Sequence, residues 1–406
     1  MNSIDRHVKH LSVAAIALTT FSAAVLLAGI AIPAQAQTET VLYSFQGSPS
    51  SGPDGSYPQS GPILLGTTLY GTASQGGSAG CGIVWAVSTT TGKETILYTF
   101  QGEPNDAWRP TGGLVYYKGS FYGTTAFGPS GPGGGIGTVF KIRKSGKKYV
   151  ETILHTFPAS PDGVEPGAVT PVFDKLGNLY GTTTSGGEPG NGTVFKLAPD
   201  GTETILHNFN CNGDGCVPWA GVTLDKKGNL YGTTQIGGTY GWGTIYEITA
   251  AGTYGVLYNF MGGNDGLYPW SPPVLDKKGN LYGTTENGGS GGYGTVYEFN
   301  PKTSEKTILH NFYGGVSDGA SPLDGALVFD KEGNIYGTTM GGGTIGGGTI
   351  YKLAPNGTFT ILHSFTNQPD GDDPMGNVVF DTQGNLYTTT EEGGTTTNGV
   401  VIKVAP

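Results

Sequence analysis

The sequence predicts an all-β protein: a seven-bladed β-propeller of four-stranded antiparallel blades. Three observations carry this. A strand of the type Thr-Ile-Leu-His-x-Phe recurs along the chain, ending at Phe45, Phe100, Phe157, Phe209, Phe260, Phe312 and Phe365. The intervals are 55, 57, 52, 51, 52 and 53 residues, and a repeat of this period built from four short β segments is the mark of a propeller blade. Composition agrees. Gly 73 and Pro 25 among 406 residues, with only 13% charged, leave little for helices. The 22 Tyr, 17 Phe and 5 Trp argue for a packed core rather than a disordered chain.

One unit shows how each element arises. Ala326 to Phe329 is a short apolar run. Asp330 to Asn334 is a turn in which Gly333 can take the left-handed position. Ile335 to Thr339 is a second strand rich in β-formers, and Met340 to Gly347 is a Gly-dominated loop. Gly348 to Leu353 is the third strand, and Asn356-Gly357 marks the hairpin to the fourth, Thr360 to Phe365. The described order begins with a lone fourth strand, residues 39–45, and finishes on a third strand, Gly399 to Val404. The two deficits match. Residues 39–45 are expected to complete the last blade and close the ring, leaving no long exposed edge.

Residues 1–36 read as an export signal. Arg6 and Lys9 precede an apolar run from Leu11 to Ile32, and Pro33-Ala34-Gln35-Ala36 fits cleavage after Ala36. The run is also long enough to serve as an uncleaved anchor, the alternative. The expected organisation is therefore a signal peptide, 1–36, and one propeller domain, 37–406, secreted or periplasmic and monomeric. Loss of Arg6, Lys9 and Asp5 takes the formal charge from −10 to −11. An acidic surface argues against a nucleic-acid partner. No membrane contact is expected after cleavage.

Among the cysteines, Cys211 and Cys216 bracket Asn-Gly-Asp-Gly and form the disulfide candidate, with Cys81 left over. Three Cys make no metal-ligand pattern, so neither metal nor cofactor is expected.

Repeated units act as internal controls. A residue present in most units reads as structural, and one unique to a unit reads as a candidate for function. The four His beyond the leader, His155, His207, His310 and His363, share one fourth-strand position with Tyr43, Tyr98 and Tyr258. A packing role is expected for them. Asp-x-x-Gly-Asn, from Asp174 to Asn178 and at four later places, reads as a turn. Asp-x-x-x-Pro occurs in every unit, at Asp54, Asp106, Asp162, Asp214, Asp265, Asp318 and Asp370. It reads as an Asx-type turn with Gly at positive φ, and a ring of ligand-binding carboxylates is the alternative.

In an up-and-down blade the Asp-x-x-x-Pro loops and the Gly-rich loops emerge on one face. Trp108, Trp219, Trp242 and Trp270 belong to that face, with Tyr268 and the carboxylates of Asp214 and Asp265. Rings beside carboxylates suit stacking on sugars or other flat polar ligands. Packing between blades is the competing reading of these rings. The expected function is thus a binding or interaction scaffold with a polysaccharide or protein partner and no catalytic residue. The alternative is a propeller enzyme, a lyase or lactonase-like hydrolase, in which Arg109, Glu165, Glu286 and Glu391-Glu392 would converge near the axis.

The unit Gly-Asn-Leu-Tyr-Gly-Thr-Thr…Gly-Gly…Gly-Thr-Val-Phe-Lys-Leu, as in residues 177–197, resembles the GloVer tandem repeat, a family of secreted bacterial repeat proteins. The resemblance covers residues 39–406 and implies no catalytic residue. Relatives often carry a C-terminal sorting segment. This chain reaches Pro406 directly after its last strand, so surface anchoring by that route is not expected.

Overall fold

The computed structural model describes residues 38–47, 54–129, 136–158, 162–166, 169–323 and 325–405. The expected export signal, residues 1–36, lies outside them. The domain is a ring of seven four-stranded antiparallel sheets. Blade three is representative: Val172–Phe173, Leu179–Thr183, Thr193–Leu197 and Glu203–Asn208, paired in chain order. Short first strands of neighbouring blades approach each other, for example Ile63–Leu65 and Val379–Phe380, which places them on the inside of the ring.

The closure expected from the sequence is present. Glu39–Ser44 pairs antiparallel with Val400–Val404 and forms the outer strand of blade seven. Every third-to-fourth strand pair also carries a register shift, as between Val194 and Phe195, where Ile205 and His207 face the partner and Leu206 is extra. A bulge re-aims the following side chains. Here it turns the His or Tyr toward the Asp-x-x-x-Pro loop.

The apolar core lies between blades. Each fourth-strand Phe is fully buried. Phe45, Phe100, Phe157, Phe209, Phe260 and Phe312 each set an edge against the third-strand aromatic of the next blade: Trp85, Phe140, Phe195, Tyr246, Tyr297 and Tyr351. The second-strand Gly lies beneath that aromatic. A Cβ on Gly232 would stand 2.3 Å from the Tyr246 hydroxyl oxygen. Blade seven has Thr388 there instead, and the facing residue is the smaller Ile402.

Inside the aromatic layer runs a chain of polar bonds. The second-strand Thr72, Thr124, Thr182, Thr233, Thr338 and Thr389 donate to the carbonyls of Gly112, Val169, Ala220, Ser271, Gly376 and Ser60 in the next blade, at 2.8–3.1 Å. These hydroxyls are buried, so each must find an acceptor. The Asp-x-x-Gly-Asn turns close as expected. The backbone N–H of Asn178 donates to Asp174 at 2.9 Å, and its side chain does so at 2.7 Å.

Candidate functional site

The loop face is built by local pairing. In every unit the segment after the Asp of Asp-x-x-x-Pro pairs with the segment after the second strand. Examples are Gly163–Val164 with Ser185–Gly186, and the bridges Trp108 to Phe127, Cys216 to Ile236 and Asp372 to Glu392. Both loop types therefore share one face.

One expectation about these loops needs correction. Gly was assigned positive φ there, yet only Gly215, Gly266 and Gly371 have it. At Gly163 the reason for Gly is space, since a Cβ would stand 2.3 Å from Thr183. The left-handed position lies two residues on, immediately before the Pro. Tyr57, Arg109, Glu165, Val217, Tyr268, Ser321 and Asp373 all sit there, with φ between 53° and 59°. Such a backbone costs a non-glycine residue on the order of 1–3 kcal/mol. In six of the seven units two backbone bonds hold it, and at Asp373 the N–H goes to the Asp372 carboxylate instead. In blade four the Val217 N–H donates to Asn191 of the preceding blade, and its carbonyl accepts from Gln235. The ring thus presents six residue types at its seven places, Tyr occurring twice, from one backbone conformation. No positional signal in a single unit identifies it; only the alignment of units does.

The carbonyl partners lie directly after the second strand, at Ser74, Ala126, Thr184, Gln235, Glu286, Met340 and Glu391. These vary as well. The candidate enzyme residues Arg109, Glu165, Glu286 and Glu391 all occupy one of these two ring positions. Gln59 of blade one donates to Glu391 of blade seven at 2.7 Å. The Glu391 carboxyl is raised by burial, with the Glu392 charge adding to the rise and the Gln59 bond and Arg109 charge opposing it. Burial, then Asp372, Glu392 and Glu391, push Asp373 up to about 6. One side of the face is therefore acidic, with two carboxyls whose ionisation burial opposes.

The other side is aromatic. Trp219 and Trp270 meet edge-to-face at 5.0 Å, and the Trp270 indole N–H donates to Glu286 at 2.5 Å. Trp242 lies edge-on to Tyr268 at 5.5 Å. Trp108 is apart from these, stacked on Phe127 at 4.2 Å within its own blade.

The carboxylates of Asp214 and Asp265 are engaged within the fold. Asp214 meets His207 at 3.1 Å and accepts from the Asn210 N–H. Asp265 accepts from the Tyr258 hydroxyl at 2.7 Å, the Met261 N–H and the Lys306 ammonium. The same pairing occurs in all seven units: Tyr43 with Asp54, Tyr98 with Asp106, His155 with Asp162, His310 with Asp318 and His363 with Asp370 complete it. The repeated His/Tyr and the repeated Asp are two halves of one contact. The bulge just before the His or Tyr, which sets where that side chain points, hides this from the sequence. Cys211 and Cys216 are joined in a disulfide, and Cys81 is free. Among the described residues no helix is long and apolar enough to cross a membrane.

Solved structures with this architecture include an oligogalacturonate lyase from Vibrio parahaemolyticus, 12% identical, with a TM-score of 0.56 over 92% of this chain and 94% of that one. The extracellular domain of a hybrid two component system from B. thetaiotaomicron is 10% identical, with a TM-score of 0.59, and 91% of this chain is covered. This chain spans only 40% of that domain's length. At such identities the likeness is one of fold. No curated protein matches the chain. The sequence repeat itself is decisive: the Gloeobacter/Verrucomicrobia repeat matches residues 30–227 and 221–406, and the chain belongs to that family.

Proposed function

We propose that this protein is an exported binding scaffold that takes flat, hydroxyl-rich ligands, polysaccharide above all, on the loop face of blades four and five. The observation that carries the reading is the Trp219–Trp270 pair, with Glu286 fixed on the Trp270 indole. Both indoles are partly exposed. A held pair of rings offers an apolar surface to a sugar face at little further entropic cost, and a nearby carboxylate can accept hydroxyl hydrogens. Tyr268 and Trp242 extend the surface along the same blades. Trp108, with one face covered by Phe127, contributes less, and Asp214 and Asp265 support the loops rather than the ligand.

The test is a glycan and polysaccharide binding screen of the purified protein against Trp219→Ala/Trp270→Ala. Binding that falls at least tenfold in the variant, with melting unchanged, supports the reading. Equal binding by both proteins refutes it.

A second reading has its own observation, the convergence of Gln59, Glu391, Asp373 and the Arg109 charge. A lyase or lactonase-like hydrolase would use a half-buried carboxyl whose pKa is raised, as at Glu391 and Asp373, for general acid–base work. Turnover of oligosaccharides or lactones that is abolished by Glu391→Gln distinguishes it from a scaffold, which turns over neither.

A further inference from the structure

The outer blade interfaces share one arrangement with one variable member. Each Asp of Asp-x-x-x-Pro meets its His or Tyr, and all but Asp318 are also approached by a residue from the next blade's fourth strand. At six interfaces that residue is Glu94, Glu151, Glu203, Tyr254, Lys306 or Glu39, and at the Asp318 interface the corresponding Phe359 stacks on His310 instead. Lys306 brings a positive charge, with its Nζ 2.7 Å from Asp265 and its side chain only 3% exposed. Tyr254 and Phe359 stack on His207 and His310 at 3.6 and 4.0 Å and bring no second carboxylate.

At the other four interfaces a Glu is placed against the Asp, and among the described residues no Lys or Arg pairs with either. Two carboxylates withdrawn from water need a counter-charge. Where the third member is a phenol, Tyr43 or Tyr98, a shared proton is the simple solution. Where it is an imidazole, the group can present a bare nitrogen and ligate a metal.

We propose that His155–Asp162–Glu203 and Glu39–His363–Asp370 are two divalent-cation sites, each bridging a pair of blades. In each trio the ligand atoms lie within 4.8 Å of one another. His155 Nε2 is 3.3 Å from Asp162 Oδ2 and 3.6 Å from Glu203 Oε2. Two ligands bound about 2.1 Å from a tetrahedral ion stand roughly 3.4 Å apart, so the trio needs little movement to close on one. His363 and Asp370, at 2.8 Å, would open slightly. The second oxygen of Glu203 is buried and has no hydrogen-bond partner. A shallow cleft lined by Asp162, Glu188, Glu203, Ile205 and Asn208 provides an entry path. One nitrogen and two carboxylate oxygens suit Zn²⁺ or another first-row ion rather than Ca²⁺, which takes six to eight oxygens. The sequence concealed both sites because their ligands come from separate blades, with no Cys and no short ligand spacing. The second site includes the closing strand, so its ion would also pin the ring shut.

The experiment uses metal-stripped full-length protein titrated with Zn²⁺, read by calorimetry and thermal melting. His155→Tyr and His363→Tyr are the informative variants, because Tyr is what neighbouring interfaces hold at that position and the fold accommodates it. Two ions per wild-type chain, one in each variant, none in the double variant and a metal-dependent rise in Tm are expected. Absence of saturable binding overturns the proposal. A variant that loses no ion overturns the assignment at its interface.

Discussion

Thr389 donates its hydroxyl hydrogen to the carbonyl of Ser60 at 2.8 Å, although 329 residues separate them. This bond belongs to the same series that links each second strand to the next blade, and it spans the seam where the ends of the chain meet. Ring closure therefore combines this bond inside, the Gln59–Glu391 bond on the loop face, and Glu39–Ser44 pairing with Val400–Val404 outside. Deleting residues 37–46 should abolish cooperative unfolding or lower Tm sharply, because Val400–Val404 becomes an open edge and Trp85 loses Phe45. Thr389→Val removes only the inner bond and should cost about 1 kcal/mol. Circular-dichroism melting checks both. A deletion that melts like the wild type sinks the clasp.

The second-strand glycine and its facing aromatic form a second testable unit. Gly232→Ala places a methyl group against Tyr246 and should destabilise by about 1–3 kcal/mol, the usual cost of overpacking. Blade seven shows the compensating pair, Thr388 with Ile402. Tyr246→Ile combined with Gly232→Ala should therefore cost less than the two single changes added together. Chemical denaturation of the four proteins measures the coupling. Additive values would show that the two positions do not constrain one another.

Much of this architecture was legible because periodicity multiplies weak signals. Each Thr-Ile-Leu-His-x-Phe strand alone is ambiguous, but seven at near-equal spacing specify blades, ring and clasp. The turn at Asp174–Asn178 was legible for a local reason, since its hydrogen bonds close within five residues. Legibility failed where partners are distant or the backbone is irregular. The His207–Asp214 contact depends on a bulge that leaves no composition signal. The expectation that Gly takes positive φ fails at Gly55, Gly163 and Gly319, and the left-handed residue before each Pro, such as Val217 held by Asn191 and Gln235, has no Gly to announce it. The Trp219–Trp270 contact joins side chains 51 positions apart in neighbouring units.

That strained ring predicts an unusual substitution. Val is β-branched and poorly suited to φ near 54°. Val217→Gly removes the strain, on the order of 1–3 kcal/mol, against an added unfolded-state entropy of roughly 0.5–1 kcal/mol. A net gain of about 1 kcal/mol is expected by urea denaturation. A loss of stability would show that the Val217 side chain contributes more by its contacts than its backbone costs.

The carboxylate pairs at the two phenol-bearing interfaces make stability depend on pH. Burial and the nearby Asp54 push Glu94 up to about 7. Burial and Asp106 push Glu151 up to about 9, with the Tyr98 bond opposing. Glu151 Oε1 is buried with no hydrogen-bond partner, so a negative charge there lacks the donors that would stabilise it. Above the ordinary carboxyl value of 4.5 the unfolded chain releases these protons while the folded ring keeps them. The folded state then binds more protons, so stability falls as pH rises. The loss runs from pH 4.5 to about 7 for Glu94 and on to about 9 for Glu151. Glu151→Gln fixes the neutral form. It should be close to wild type at pH 5 and more stable by about 1–3 kcal/mol at pH 9, the scale of relieving one unsatisfied buried group. Urea midpoints at pH 5, 7 and 9 for both proteins decide the matter. Parallel pH profiles would show that the Asp106–Glu151 pair is ionised in the folded ring and that its charge is balanced by another group.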